Sequence, residues 1–220
     1  MTPLIKEIIA FFLVTVMIVG VVYAIIRKDR MKNYYRPFYV YLIVALVFEL
    51  LIKIIIYSGY KSSLVSNCYV LIEFPIFLWL FYNWSSRNNK IYFIGLFLIG
   101  VVIWIFDNLI INNIFQINSY YRIYYSLVLI LCSINQLNKV IFQDNIMLWK
   151  NATFLISITS VFYYSYRVFI EGLFLFQEDF SNDFFRGVYS IMVIVNFLSH
   201  LIYTLAVLCI PAKQEFTLRY

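Results

Sequence analysis

A chain of 220 residues that is 64% hydrophobic and only 13% charged cannot hide its apolar surface from water; soluble domains average roughly 45–50% apolar and about 25% charged residues. With a mean hydropathy of +0.85, lipid is the expected solvent, and a water-soluble globular protein is excluded. The net charge of +6 does not mark a nucleic-acid binder, because the basic residues are scattered through short connections rather than gathered on one face.

A membrane-spanning helix needs about 20 predominantly apolar residues. Seven runs qualify, at roughly 4–26, 38–57, 64–84, 91–106, 120–142, 148–170 and 186–210, with the fourth extending into Asp107-Asn-Leu-Ile-Ile. The fold class predicted is therefore all-α: one polytopic membrane domain over residues 1–220, with seven transmembrane helices. The first run is followed by Arg27-Lys-Asp-Arg-Met-Lys, and such strong positive charge holds that end in the cytoplasm. It reads as an uncleaved helix with its N-terminus outside.

The remaining connections agree with that orientation. Those predicted inside carry Arg27, Lys28, Arg30, Lys32 and Arg36, then Arg87 and Lys90, then Lys139 and Lys150, and finally Lys213 and Arg219. The connection predicted outside between the last two helices carries Glu171, Glu178, Asp179 and Asp183. The C-terminus is thus expected in the cytoplasm. Residues 171–185, which mix phenylalanines with acids, read either as an amphipathic lid in the outer interface or as an ordinary loop docked on helix ends.

Polar side chains inside the apolar runs show which helices face protein. The first and fourth runs have almost none and are placed at the periphery. In the sixth, Lys150, Thr153, Ser157, Ser160, Tyr164, Arg167 and Glu171 follow steps of three and four, one continuous face that lipid cannot satisfy. The seventh offers Tyr189, Asn196, His200 and Tyr203. The fifth offers Arg122, Tyr125, Cys132, Gln136 and Lys139. The third offers Ser66, Tyr69, Glu73 and Asn83, and the second Glu49 and Lys53. A polar interior built from these five helices follows, with Glu49, Glu73, Ser157, Ser160 and Asn196 near mid-depth, and Lys53, Arg122 and Arg167 in the outer half.

Ionisable groups at membrane depth are expensive and count as functional-site candidates. The ligand- or proton-binding candidates are Glu73, Glu49, Lys53, Asn196, His200, Ser157, Ser160, Tyr164 and Arg167. Glu49 and Lys53 stand at i, i+4 with the glutamate first, the better order for an ion pair. They read either as a self-neutralising anchor or as a charged wall. Glu73 has no opposite charge one turn away, and reads as a proton or ligand site or as interhelical glue. Arg167 is expected to pair with Glu171 at the outer interface. His200, the single histidine, is either a packing residue or a pH sensor.

Other chemistries have no matching pattern. One histidine and three scattered cysteines, Cys68, Cys132 and Cys209, form no metal-ligand spacing. The seventh run has no lysine for a retinal Schiff base. No cofactor is expected, and enzyme is the least favoured class. A receptor or sensor, a small-solute or proton-coupled transporter, and a structural subunit of a membrane complex all remain open.

Two stretches carry a resemblance. Ser66-Asn-Cys-Tyr-Val-Leu-Ile-Glu-Phe, with Asn67, Tyr69, Glu73 and Phe74 as its core, resembles the third helix of an uncharacterised family of small seven-helix bacterial inner-membrane proteins. Residues 148–165 and 195–209 resemble the last two helices of that family. What the resemblance implies is a multi-pass protein of the bacterial inner membrane, with a separate effector such as a sensor kinase as partner. It implies no ligand.

Overall fold

A computed structural model describes residues 3–28, 32–85, 89–143, 147–176 and 180–211. The described residues are helical, without a strand, and fall into seven helices: α1 (Pro3–Arg27), α2 (Arg36–Tyr57), α3 (Ser63–Trp84), α4 (Lys90–Phe106), α5 (Ser119–Gln143), α6 (Ala152–Leu175) and α7 (Asn182–Cys209). Helix is what such runs must form in lipid, where every backbone N–H and C=O has to be satisfied within its own segment. At 1.5 Å per residue, the 22 residues of α3 reach about 33 Å, a full hydrocarbon core. Helices α2, α3, α5, α6 and α7, and α4 together with its continuation to Ile111, are long and apolar enough to span a membrane, and α1 contributes a shorter apolar stretch, Phe11–Arg27.

The turns are encoded locally. Gly59, at φ +80°, ends α2: its N–H reaches the Ile56 carbonyl (3.0 Å) and the Tyr60 N–H reaches that of Ile55 (3.1 Å). This is a Schellman arrangement, which requires a left-handed residue and so favours glycine. Asn151 and Ser181 cap α6 and α7, accepting from the Phe154 and Phe184 N–H groups.

Each helix packs against the next in sequence, and α7 returns to pack against α1, which closes a ring. Helix α3 also touches α5 and pushes α4 outward, as its polar-poor sequence predicts. Gly100 permits the α3–α4 approach, since a Cβ there would stand 2.8 Å from Phe74. Large apolar side chains such as Phe106, Phe142 and Phe162 remain exposed on the outside. This pattern, inside-out for water, is consistent with a multi-pass membrane protein.

Two expectations need correction, and a third holds. The segment 171–185 is mostly helix: α6 runs on to Leu175 and α7 begins at Asn182, because the Ser181 cap and paired rings such as Phe174 on Phe185 (5.2 Å) extend the helices past the apolar runs. Residues 177–179, including Glu178 and Asp179, lie outside the described residues. The sixth helix starts at Ala152, so Lys150 sits in a separate 3-10 turn, Leu148–Lys150, exposed and off the stripe. The fourth helix does extend into Asp107–Ile111, as a π-helical turn.

Candidate functional site

Glu73 is 1% exposed and lies about midway along α3. A carboxylate there must be satisfied by protein, and three tyrosines from three helices do so. Tyr69 on α3 donates to Oε1 (3.0 Å), Tyr164 on α6 to Oε1 (3.1 Å), and Tyr125 on α5 to Oε2 (3.1 Å). The Arg167 guanidinium of α6 stands 4.0 Å from Oε2, also donates to the Tyr163 hydroxyl (3.0 Å), and lies over the Tyr125 ring. The result is a charged node that ties α3, α5 and α6 together.

Toward the end of the bundle that carries the α2–α3, α4–α5 and α6–α7 connections, called here the upper end, a second node centres on Arg122. It donates to Asn118 Oδ1 (3.1 Å), Ser66 Oγ (2.7 Å) and Asn67 Oδ1 (3.2 Å), and lies 3.6 Å from Glu171. Ser119 holds the other Glu171 oxygen at 2.8 Å. Asn67 passes the network on through its amide, to Asn108 and to the Ile114 and Gln116 carbonyls. Asp107 accepts from the Tyr121 backbone N–H (2.9 Å), which places a carboxylate at the positive N-terminal end of α5.

Between these nodes and α2 and α7 lies a cavity of about 380 Å³, inside the usual range for small-ligand sites of roughly 300–1,000 Å³. Arg122, Arg167 and Glu171 form its polar side, with Ser66, Tyr69 and Tyr163. Glu49, Asn196 and His200 contribute from α2 and α7, and Ala45, Phe48, Ile52 and Met192 supply apolar wall. A shallower depression of about 620 Å³ at the upper end shares Ile117 and Phe174 with it. Downward, the cavity stops at rings. His200 stacks on Tyr41 (6.4 Å), and Tyr41 packs on Phe77 (4.6 Å) and Tyr203 (5.6 Å); Tyr41, Phe77 and Tyr203 are each at most 3% exposed.

The sequence-derived candidates separate into four places. Glu49, Arg167, Asn196 and His200 line the cavity. Glu73 and Tyr164 lie behind its wall, reached through Tyr69 and Arg167. Ser157 and Ser160 are fully buried below it; Ser160 meets the Tyr203 hydroxyl (3.0 Å), whereas the Ser157 Oγ and the His200 Nδ1 have no hydrogen-bond partner. An unpartnered buried polar atom costs about 1–3 kcal/mol, and each such atom in a folded protein calls for an explanation. Lys53 does pair with Glu49 (3.8 Å), both sides about a quarter exposed, but unlike Glu49 it is not part of the cavity lining. The expected Arg167–Glu171 pair is replaced by crossed partners, Arg167 with Glu73 and Arg122 with Glu171. With the arginine N-terminal, the local pair has the weaker order, and both residues turn inward toward other helices.

Sequence reasoning passed over Asp107 and Asn108, both buried. The available signal was the run Asp107-Asn108 through Asn112-Asn113 closing an apolar helix just before Ser119-Tyr-Tyr-Arg, too polar a stretch to sit at a membrane helix end without partners. Among the described residues no group of histidine, cysteine and acidic side chains could hold a metal ion.

These features describe an all-α bundle, with six helical segments long and apolar enough to span a membrane, around a cavity that has one polar side. No known protein family, no curated protein and no solved structure matches this chain.

Proposed function

We propose that this protein is a receptor or sensor of the bacterial inner membrane that spans it seven times, with its N-terminus outside and its C-terminus in the cytoplasm. The cavity is the ligand site, and it opens toward the outer face. The observation that carries this reading is the cavity's form. It has a polar side in the upper half, with Arg122, Arg167 and Glu171, and the Tyr41, Phe77, Tyr203 and His200 rings pack below it. A site that is blind at mid-depth suits binding better than passage. The output partner is a separate cytoplasmic or membrane effector, for which a sensor kinase is the candidate that the resemblance of helices three, six and seven supplies. The basic residues Arg27, Lys28 and Arg36 lie where such a partner, or anionic lipid, would be met.

A second reading, a proton-coupled or small-solute transporter, draws on Glu73, a carboxylate at mid-depth of the kind that serves proton relays. The two readings separate in one experiment. The purified chain in proteoliposomes is tested for proton flux under an imposed gradient, and in parallel for effectors that co-purify from membranes. The sensor reading expects no flux above empty liposomes and a stoichiometric partner; flux that Glu73→Gln abolishes would establish the transporter instead.

A further inference from the structure

The chemistry of the cavity wall selects among ligands. The charged groups there differ in the hydrogen-bonding capacity that the protein itself leaves unused. Arg122 is occupied by Asn118, Ser66, Asn67 and Glu171. Glu171 is held by Ser119 and Arg122, and Glu49 is paired with Lys53. Arg167 differs. Of the five donors a guanidinium carries, one hydrogen bond is made, to Tyr163. Its counter-ion Glu73 stands at 4.0 Å and already accepts from three tyrosines. Arg167 is therefore a buried cation with free donors on the surface of a cavity, and its planar fork matches a carboxylate in two-pronged fashion.

The remaining wall, with Ala45, Phe48, Ile52 and Met192, is apolar and asks for an apolar body. Size follows from volume: liquid water takes about 30 Å³ per molecule, so the 380 Å³ hold on the order of a dozen waters, or a solute of about that many non-hydrogen atoms.

We infer that the cavity takes a small organic monocarboxylate, its carboxylate on the Arg167 guanidinium and its apolar body against Phe48, Ile52 and Met192. The inference rests on the cavity being the ligand site. It adds a mode of coupling, because a carboxylate on Arg167 competes with Glu73 for the same cation and so loosens the node that joins α3, α5 and α6.

Three probes of one shape and different charge test it: 4-phenylbutyrate, 4-phenylbutanol and 4-phenylbutylammonium, titrated calorimetrically into the full chain in lipid nanodiscs, with empty nanodiscs as blank. The carboxylate is expected to bind saturably and at least about tenfold more tightly than either analogue, a factor worth about 1.4 kcal/mol. Arg167→Gln would strand the Glu73 charge, so the variant used is Arg167→Gln with Glu73→Gln, which keeps the node neutral. It is expected to bind the carboxylate and the alcohol equally. Equal affinities in the unaltered protein, preference for the ammonium, no saturable carboxylate binding, or a preference that survives in the double variant each overturn the carboxylate assignment. Val193→Trp, which fills the cavity, separates this from the wider reading. It is expected to abolish binding of every probe that binds, and binding that persists unchanged would remove the cavity as the ligand site altogether.

Discussion

Two acid–base pairs inside the bundle have the same chemistry and opposite standing. Glu49 and Lys53 lie one turn apart on α2, about a quarter exposed, 3.8 Å from each other. Glu73 and Arg167 lie on different helices, 94 positions apart in sequence, nearly fully buried, with three tyrosine hydroxyls on the carboxylate. The first pair neutralises itself wherever α2 folds. The second exists only once α3, α5 and α6 have assembled, so its charge is a property of the tertiary structure. A membrane protein can therefore carry one ion pair as a local adjustment and another as a keystone, and burial distinguishes them better than distance.

Perturbations should rank accordingly. Glu73→Gln leaves Arg167 as an uncompensated buried cation, and breaking a buried pair in this way costs about 3–5 kcal/mol. The expected result is a large loss of thermal stability in detergent, with a substantial part recovered when Arg167→Gln is added. Arg122→Gln removes charge-assisted bonds to Asn118, Ser66 and Asn67, each of a class worth about 1.5–3 kcal/mol, although Glu171 keeps Ser119. Because it also strands the buried Glu171 carboxylate, its melting temperature should fall by an amount comparable to that of Glu73→Gln. Tyr164→Phe or Tyr125→Phe removes one hydroxyl from a carboxylate that keeps two more, and hydrogen bonds between membrane helices average about 0.6 kcal/mol with a maximum near 1.7. A measurable but small destabilisation in a denaturant titration is the expectation. Glu49→Gln should change stability least, by under about 1 kcal/mol, and a loss as large as that of Glu73→Gln would erase the contrast between the two pairs.

Much of this was legible in the sequence, and the divide follows the same line between local and assembled structure. Seven apolar runs predict the seven helices because hydropathy is a sum over neighbours along the chain. The Glu49–Lys53 pair and the inward stripe from Thr153 to Glu171 are equally local, set by the helical repeat. The closing of the ring by α7 on α1 is not, and neither is the gathering of Tyr69, Tyr125 and Tyr164 on one carboxylate. Each tyrosine can be placed on a polar face from its spacing, but which faces meet depends on packing. The Arg167–Glu171 error has the same origin: spacing one turn apart was read as a pair, while other helices offered both residues better partners. The 171–185 stretch failed for a different reason, since aromatic stacking of Phe174 on Phe185 and the Ser181 cap extend helices where hydropathy falls.

The most direct test of a blind cavity open at the upper, outer end is cysteine accessibility. In a background with Cys68, Cys132 and Cys209 replaced by serine, single cysteines at Ser66, Asn196, Ser157 and Tyr203 are exposed to a small membrane-impermeant methanethiosulfonate, which reacts only where water admits a thiolate. Ser66→Cys and Asn196→Cys should label from the outer face alone, and Ser157→Cys and Tyr203→Cys from neither side. Labelling of Asn196→Cys from the cytoplasmic face, or ready labelling of Ser157→Cys, would contradict the account.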